Sequence, residues 1–340
     1  MHSTTGLNRS IRILFLAVTI VALLSIATQV DEIQSSLGQV QWGVLPSALL
    51  MTAMSYLCMS FSFATVGRLF DIEMRQRDIA LVGFVTNVIN HVVTSGGVAG
   101  YSLRYAMMKR DGVHLRDVVA ISIMHFYLTG LDMIITLPIS LIYLMSHVRL
   151  ARGLSIGLTF LTVILVCLAI LAAILIFARR WRRIALRTIS GIASRIVRRE
   201  IDPGLDQFEE SMSRGLSAMR RTPGLLLVAI SLIWFDWLAS VLTLTLCLEA
   251  FGEHVPFGVV MSAFVIGTMI GLVSLAPGGL GVQEGSMSGI LALFGVPFGK
   301  AILAAVLFRA VFYFLPYMVS LLFSRSMMRD GSQSRVSAAD

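Results

Sequence analysis

The sequence predicts an all-α, polytopic helical membrane protein with two re-entrant helical hairpins arranged as an inverted repeat. Three observations lead there. Charged residues make up 14% of the chain against 56% hydrophobic residues, and the mean hydropathy is +0.84. Globular domains carry about 25% charge, and a soluble fold of this composition would hold large apolar patches in water. Apolar runs recur that are long enough for a hydrocarbon core of about 30 Å, which takes about 20 helical residues. Two further apolar stretches are cut by glycine-rich runs, SGGVAG at 95–100 and PGGLG at 277–281.

The first span is expected at about 11–30, with Arg9 and Arg12 at its start and Asp31 and Glu32 after it. A secretory signal ending near Ser25-Ile26-Ala27 is the alternative, but the apolar run is long for one. A second span at 43–66 leads into a loop with Arg68, Arg75 and Arg77. The apolar run at 79–94 rises only about 24 Å as a helix. It breaks at Ser95–Gly100 and is followed by Arg104, Lys109, Arg110 and Arg116. Spans at 118–145 and 154–178 come next. The polar stretch 179–221 opens with Arg179, Arg180, Arg182, Arg183 and Arg187 and is the strongest marker of a cytoplasmic side. Ile184, Leu186, Ile189, Ile192 and Ile196 interleave with these arginines. They suit either an amphipathic helix on the membrane surface or a solvated loop. A span at 224–248, a second broken region at 257–294 and a last span at 301–323 complete the chain. The expected organisation is one transmembrane domain over 1–330, with about six full spans, hairpins at about 79–110 and 257–298, and a polar tail at 331–340.

The positive-inside rule turns this into a topology. With the N-terminus in the cytoplasm, the basic loops at 67–78 and 101–117 both lie inside only if the segment between them enters and leaves on one side. The region between Glu249 and Lys300 does the same from the outer face, and the C-terminus returns to the cytoplasm. Pairs of short tilted spans would preserve the same parity. Each glycine break is followed at similar distance by a Gly-Val pair, Gly112-Val113 and Gly295-Val296, and then by a full span. Inverted repeats with interrupted helices at matching positions are a transporter pattern, with the substrate held near the midplane. The competing reading is chance recurrence in a glycine-rich chain.

Irregular backbone at membrane depth must be buried in protein or line a wet cavity. The broken-helix glycines Gly96, Gly97, Gly100, Gly278, Gly279 and Gly281 are therefore expected to face the interior. A helix starting after Gly281 would turn free N–H groups towards an anion. Gly281, Gly285 and Gly289, with Gly267 and Gly271 on the preceding helix, are spaced for close helix approach. Ionisable residues within spans are costly in lipid and mark functional sites. These are Arg104, Asp132, Asp236, Glu284 and Arg309, joined by Asn87, Asn90 and His91 on one stripe and by His125. Arg104 and Arg309 are the candidates for an anionic headgroup, because a guanidinium matches phosphate geometry. Arg104 as a topology anchor and Glu284–Arg309 as a structural ion pair are the alternatives. Asp132, Asp236 and Glu284 are candidates for proton carriage.

Other chemistries find no support. There is no nucleophile elbow, Walker motif or zinc motif. Cys58, Cys167 and Cys247 sit in apolar stretches and read as buried hydrophobes. No catalytic residue, cofactor or metal is expected. The net charge of +8 reads as cytoplasmic retention and attraction to anionic lipids rather than nucleic-acid binding.

The run from Ser274 to Val319 resembles the C-terminal signature of the lysylphosphatidylglycerol synthase/flippase transmembrane family. Pro277, Gly279, Gly281, Glu284, Gly295 and Arg309 occupy its places. The segment 94–113 resembles the first-half motif, with Arg104 in the expected position, and Asp132 matches a family aspartate. The chain departs from the pattern at Tyr101, where many members have glutamate, and at Thr129, where many have arginine. The resemblance implies a flippase-like domain of the short form, without the soluble aminoacyl-transferase part. The expected function is translocation of a phospholipid or lipid-linked intermediate across the bacterial cytoplasmic membrane, with membrane lipids as partners. Two alternatives stand beside it. One is a non-transporting membrane partner that scaffolds a lipid-modifying enzyme or glycosyltransferase through 179–221. The other is a lipid-modifying enzyme.

Overall fold

The computed structural model describes residues 38, 40–92, 98–148, 152–178, 180, 181, 184, 188, 202–274 and 276–320. The expected first span at 11–30, most of the basic segment at 179–199, Gly96, Gly97, the end of the last span and the tail lie outside the described residues. Among the described residues the chain is helical, with turns and no strand.

The helices, in chain order, are α1 (Leu45–Leu69), α2 (Gln76–Val92), α3 (Val98–Met108), α4 (Leu115–His147), α5 (Arg152–Phe177), α6 (Asp202–Arg221), α7 (Pro223–Glu249), α8 (Phe257–Val273), α9 (Val282–Leu293) and α10 (Phe298–Arg309). The last runs on through a π-helical turn at Ala310–Phe314 to Ser320. Four of these are long and apolar enough to cross a membrane: Trp42–Leu69, Leu115–His147, Pro223–Glu249 and Phe298–Ser320. They coincide with four of the expected spans, and the chain is a multi-pass helical membrane protein. α5 occupies the place of a fifth, with side chains such as Phe160 turned outward. The outward faces of α4 and α7 are equally apolar, carrying Phe126, Ile142, Leu227 and Phe235. A perimeter of this kind suits acyl chains.

Local sequence explains the helix limits. α7 starts with Pro223 and Gly224, and proline in the first turn removes an N–H that has no helical partner. Gly112 and Gly295 end their helices at φ +81° and +91°, a conformation that costs glycine little. Pro256 and Pro297 stand just before α8 and α10.

α1 and α7 form the main packed pair, and α2 lies along α1. One buried cluster joins α1, α2, α4 and α6 around Phe63, Met108, Ile121 and Met124. A second joins α1, α7, α8, α9 and α10 around Tyr56, Leu244, Met287 and Phe308. Of the two short-helix pairs, α2–α3 and α8–α9, α2 reaches both clusters, through Val82 and Val88, while α8 and α9 pack in the second. Their arms have 17 and 11 residues, and 17 and 12 residues. Each arm is shorter than the ~20 residues of a full crossing.

Within the polar stretch 179–221, residues 202–221 form α6. Met212, Leu216 and Met219 recur at helical spacing, and α6 docks them against Phe70. The Phe70 ring lies where a Cβ on Gly215 would be, at 2.4 Å. Gly100 is not part of the first break; it lies within α3, and a Cβ there would meet the Asn90 amide at 2.0 Å. Gly285 and Gly289 do not mediate close helix approach, since nothing lies within 4 Å of where their Cβ atoms would stand. α9 instead presents Gln283 and Met287 to α8. The glycines that make room are Gly267, where an added Cβ would stand 2.4 Å from Met287 Cγ and 3.0 Å from its backbone nitrogen, and Gly271, where it would stand 2.9 Å from Gln283 Cβ.

A contrast between glycines on either side of this interface follows. Gly267→Val forces apart two backbones and should cost about 1–3 kcal/mol of stability. Gly289→Ala meets no neighbour and should be neutral or stabilising by up to about 1 kcal/mol. Thermal denaturation of the purified protein in detergent separates the two.

Candidate functional site

The second break is built from left-handed glycines. Gly278, Gly279 and Gly281 have φ of +61°, +65° and +76°, so the chain reverses within Pro277–Gly281 and restarts as α9 at Val282. This puts Gln283 and Glu284 in the first turn of α9, both buried. Arg309 reaches them from the last turn of α10. It forms an ion pair with Glu284. It donates through Nη1 to the Gly278 carbonyl at 2.8 Å and through Nη2 to Gln283 Oε1 at 3.1 Å. Its guanidinium lies 4.9 Å from the centre of the Tyr313 ring. Gln283 Nε2 donates onward to Thr268 at 3.2 Å and to the Tyr313 hydroxyl at 3.1 Å. One arginine thus ties α8, the glycine turn, α9 and α10 together. The positive end of α9 is met by Glu284 from its own first turn, a favourable placement for a carboxylate.

Beside the first break, Arg104 is 2% exposed, and its surroundings are neutral. It donates to Thr86 Oγ1 through Nε at 3.3 Å and Nη2 at 3.1 Å, and to Ser122 Oγ through Nη1 at 2.9 Å. Its guanidinium lies 4.1 Å from the Phe63 ring centre and 5.5 Å from that of Tyr101, in cation–π range. No acidic side chain pairs with it among the described residues. Asn87 and Asn90 are on α2 nearby, and Asn87 Nδ2 and Asn90 Oδ1 are buried without a hydrogen-bond partner. His91 lies on α2 as expected, but its side chain is outside the described residues. His125 is buried 2.8 Å from Ser62 through Nε2 and edge-on to Phe63, the ring that Arg104 also contacts.

Asp132 on α4 and Asp236 on α7 converge on a cavity of about 210 Å³ between α1, α4, α7, α8 and the end of α10. Ser55 donates to Asp236 Oδ1 and lies 3.3 Å from the Ser240 hydroxyl. Asp132 accepts the Met133 N–H at 2.7 Å. Thr129 and Thr268 add hydroxyls, and Tyr56, Trp237, Phe264 and Phe312 supply aromatic wall. Tyr313 also faces this space, so the cavity adjoins the Arg309 network.

Sequence reasoning named the charges but not their helpers, which are Ser55, Tyr56, Ser240, Thr268, Gln283 and Tyr313. A signal existed for two of them. Ser240 follows Asp236 by four residues and Tyr313 follows Arg309 by four, which places each pair on one helix face. Among the described residues, no group of three His, Cys, Asp or Glu side chains is placed to hold a metal.

Fold and site together define a multi-pass helical membrane protein with charged side chains buried inside its bundle. A model of the lysylphosphatidylglycerol synthase TM region matches residues 12–320, and the chain belongs to that family. It is similar to the phosphatidylglycerol lysyltransferase of Staphylococcus aureus (strain COL), with 25% identity over 270 residues. That match covers 79% of this chain and 28% of the relative. The enzyme of the same name from Staphylococcus haemolyticus (strain JCSC1435) is 36% identical over 90 residues, or 26% of this chain and 11% of the relative. The chain therefore spans little more than a quarter of the S. aureus relative.

Proposed function

We propose that this protein moves a phospholipid across the bacterial cytoplasmic membrane, sheltering the headgroup between the two interrupted helix pairs. The observation that carries the reading is the cavity lined by Asp132 and Asp236. Carboxylates inside a membrane bundle are costly and mark substrate or ion paths, and this cavity of about 210 Å³ sets two of them, with the hydroxyls of Ser55, Thr129, Ser240 and Thr268, in an otherwise largely aromatic and apolar wall. The relatives' name supplies the substrate class, a phosphatidylglycerol that accepts a lysyl group. A lipid of that kind carries both a phosphodiester and, once lysylated, ammonium groups. The carboxylates suit the ammonium groups, and Arg104 is the guanidinium left for the phosphodiester, because Arg309 is already held by Glu284. The interrupted pairs act as re-entrant hairpins from opposite faces, with both termini in the cytoplasm.

Proteoliposomes holding the full chain and fluorescent phosphatidylglycerol or lysyl-phosphatidylglycerol test this directly. Wild-type protein should expose inner-leaflet label to an external quencher at least tenfold faster than empty vesicles. Asp236→Asn, which keeps the shape and removes the charge, should lower that rate at least tenfold for the lysylated lipid. A wild-type protein that moves neither lipid ends the reading.

A further inference from the structure

A second space lies outside the polar core. α1, α2 and the end of the last helix enclose an apolar groove of about 550 Å³, walled by residues such as Leu49, Leu57, Phe61, Leu81, Leu315 and Val319. Its lining also includes the exposed Arg77, in the first turn of α2. α1 crosses the groove from Leu49 to Phe61, about 18 Å of helix rise. One leaflet of a ~30 Å hydrocarbon core is about 15 Å deep. The groove is thus as long as one acyl layer. Because Arg77 follows directly on the turn between α1 and α2, its guanidinium stands at the end where a lipid phosphate in that leaflet would be.

Tyr56 lines this groove and also the carboxylate cavity. Its ring packs edge-on to Phe84 at 5.8 Å and against Phe312 at 5.4 Å, and its hydroxyl donates to the Phe312 carbonyl at 2.9 Å. That carbonyl belongs to the π-helical turn at Ala310–Phe314. Such turns free backbone carbonyls from the regular ladder and are frequent at functional sites. Between the oily groove and the carboxylate cavity, Tyr56 is a shared wall.

We propose that the groove seats one acyl chain of a membrane glycerophospholipid with its phosphate at Arg77, and that Tyr56 is the door through which the headgroup passes to the Asp132–Asp236 cavity. The seat stands on the groove alone; the door rests on the translocation reading. A lipid so placed keeps its tail in hydrocarbon throughout and needs to move only its headgroup past Tyr56. Charge, length and polarity change in the order that such a lipid requires.

Photolabelling of the full chain in nanodiscs tests the seat. The probes are a phosphatidylglycerol and a diacylglycerol, each with a diazirine in mid-chain, and labelled peptides are mapped by mass spectrometry. With the phospholipid probe, the groove segments 80–84 and 315–319 should take at least fivefold more label than the outward face of α7 at Leu227 and Phe235. Leu57→Trp fills the groove from an exposed position and should remove that excess, whereas Leu238→Trp on α7 should not. Arg77→Gln should lower labelling by the phospholipid at least threefold and leave the diacylglycerol unchanged. Groove labelling no higher than that on α7, or insensitive to Leu57→Trp, overturns the seat. Equal loss of both probes in Arg77→Gln overturns the phosphate contact.

The door is read by translocation. Tyr56→Phe keeps the ring and removes the latch to Phe312, and lipid movement should change at least threefold. An unchanged rate in a transporting protein overturns the door. Groove labelling in a protein that moves no lipid leaves the seat intact and removes both the door and the translocation reading. Translocation without groove labelling removes the seat alone.

Discussion

Arg309→Ala should unfold the second break. The substitution leaves Glu284 buried without its cation and takes the donor from the Gly278 carbonyl and from Gln283 Oε1. Removing one partner of a buried ion pair costs about 3–5 kcal/mol, mostly because the other charge is left uncompensated. A loss of that size corresponds to a fall in melting temperature on the order of 10 °C. Glu284→Ala should cost a comparable amount by stranding the guanidinium. The double substitution Arg309→Met with Glu284→Gln removes both charges and should recover most of the stability. Thermal denaturation of the three purified variants measures the pattern. Single variants that melt with wild type would show that the pair does not hold the turn.

Arg104→Met should behave in the opposite way. Arg104 is among the largest deeply buried side chains in the bundle, yet its donors end on the neutral hydroxyls of Thr86 and Ser122. A buried charge without a counter-ion is destabilising, and replacing such groups by hydrophobes of similar size is often neutral or stabilising by about 1–4 kcal/mol. Methionine keeps much of the volume against Phe63. The expected result is a melting temperature at or above that of wild type, together with at least tenfold slower translocation of phosphatidylglycerol in proteoliposomes. A marked loss of stability would instead make Arg104 a packing residue, with no reserve for a ligand. The two arginines, alike as candidates in the sequence, thus separate into a fastener and a guanidinium that has no acidic partner among the described residues.

The sequence shows its long-period features most clearly. Runs of apolar residues place α1, α4, α7 and the last helix because a helix in lipid must stay apolar over its whole length. Pro277 and the glycines after it announce the second break, and Glu284 and Arg309 stand close enough in an interior helix pair to be matched on paper. Contacts between distant segments are harder to read. Asp132 and Asp236 meet across two helices that are not neighbours in sequence, and nothing in either local pattern says so. α6 is hard to read because it follows an arginine-rich segment and is itself mostly polar, while three apolar residues decide its docking. Gly100 and Gly289 show a further limit. A glycine in a helix can serve packing, conformation or neither, and only the atoms facing it decide which.

The central claim is that a cavity holding the Asp132 and Asp236 carboxylates lies within the membrane-embedded bundle and admits charged groups. Cysteine accessibility in intact membranes tests it most directly. With Cys58, Cys167 and Cys247 replaced by alanine, Asp132→Cys and Thr268→Cys should react with a small, charged, membrane-impermeant thiol reagent at least tenfold faster than Leu238→Cys on the outward face of α7. Equal inertness of all three positions would contradict it.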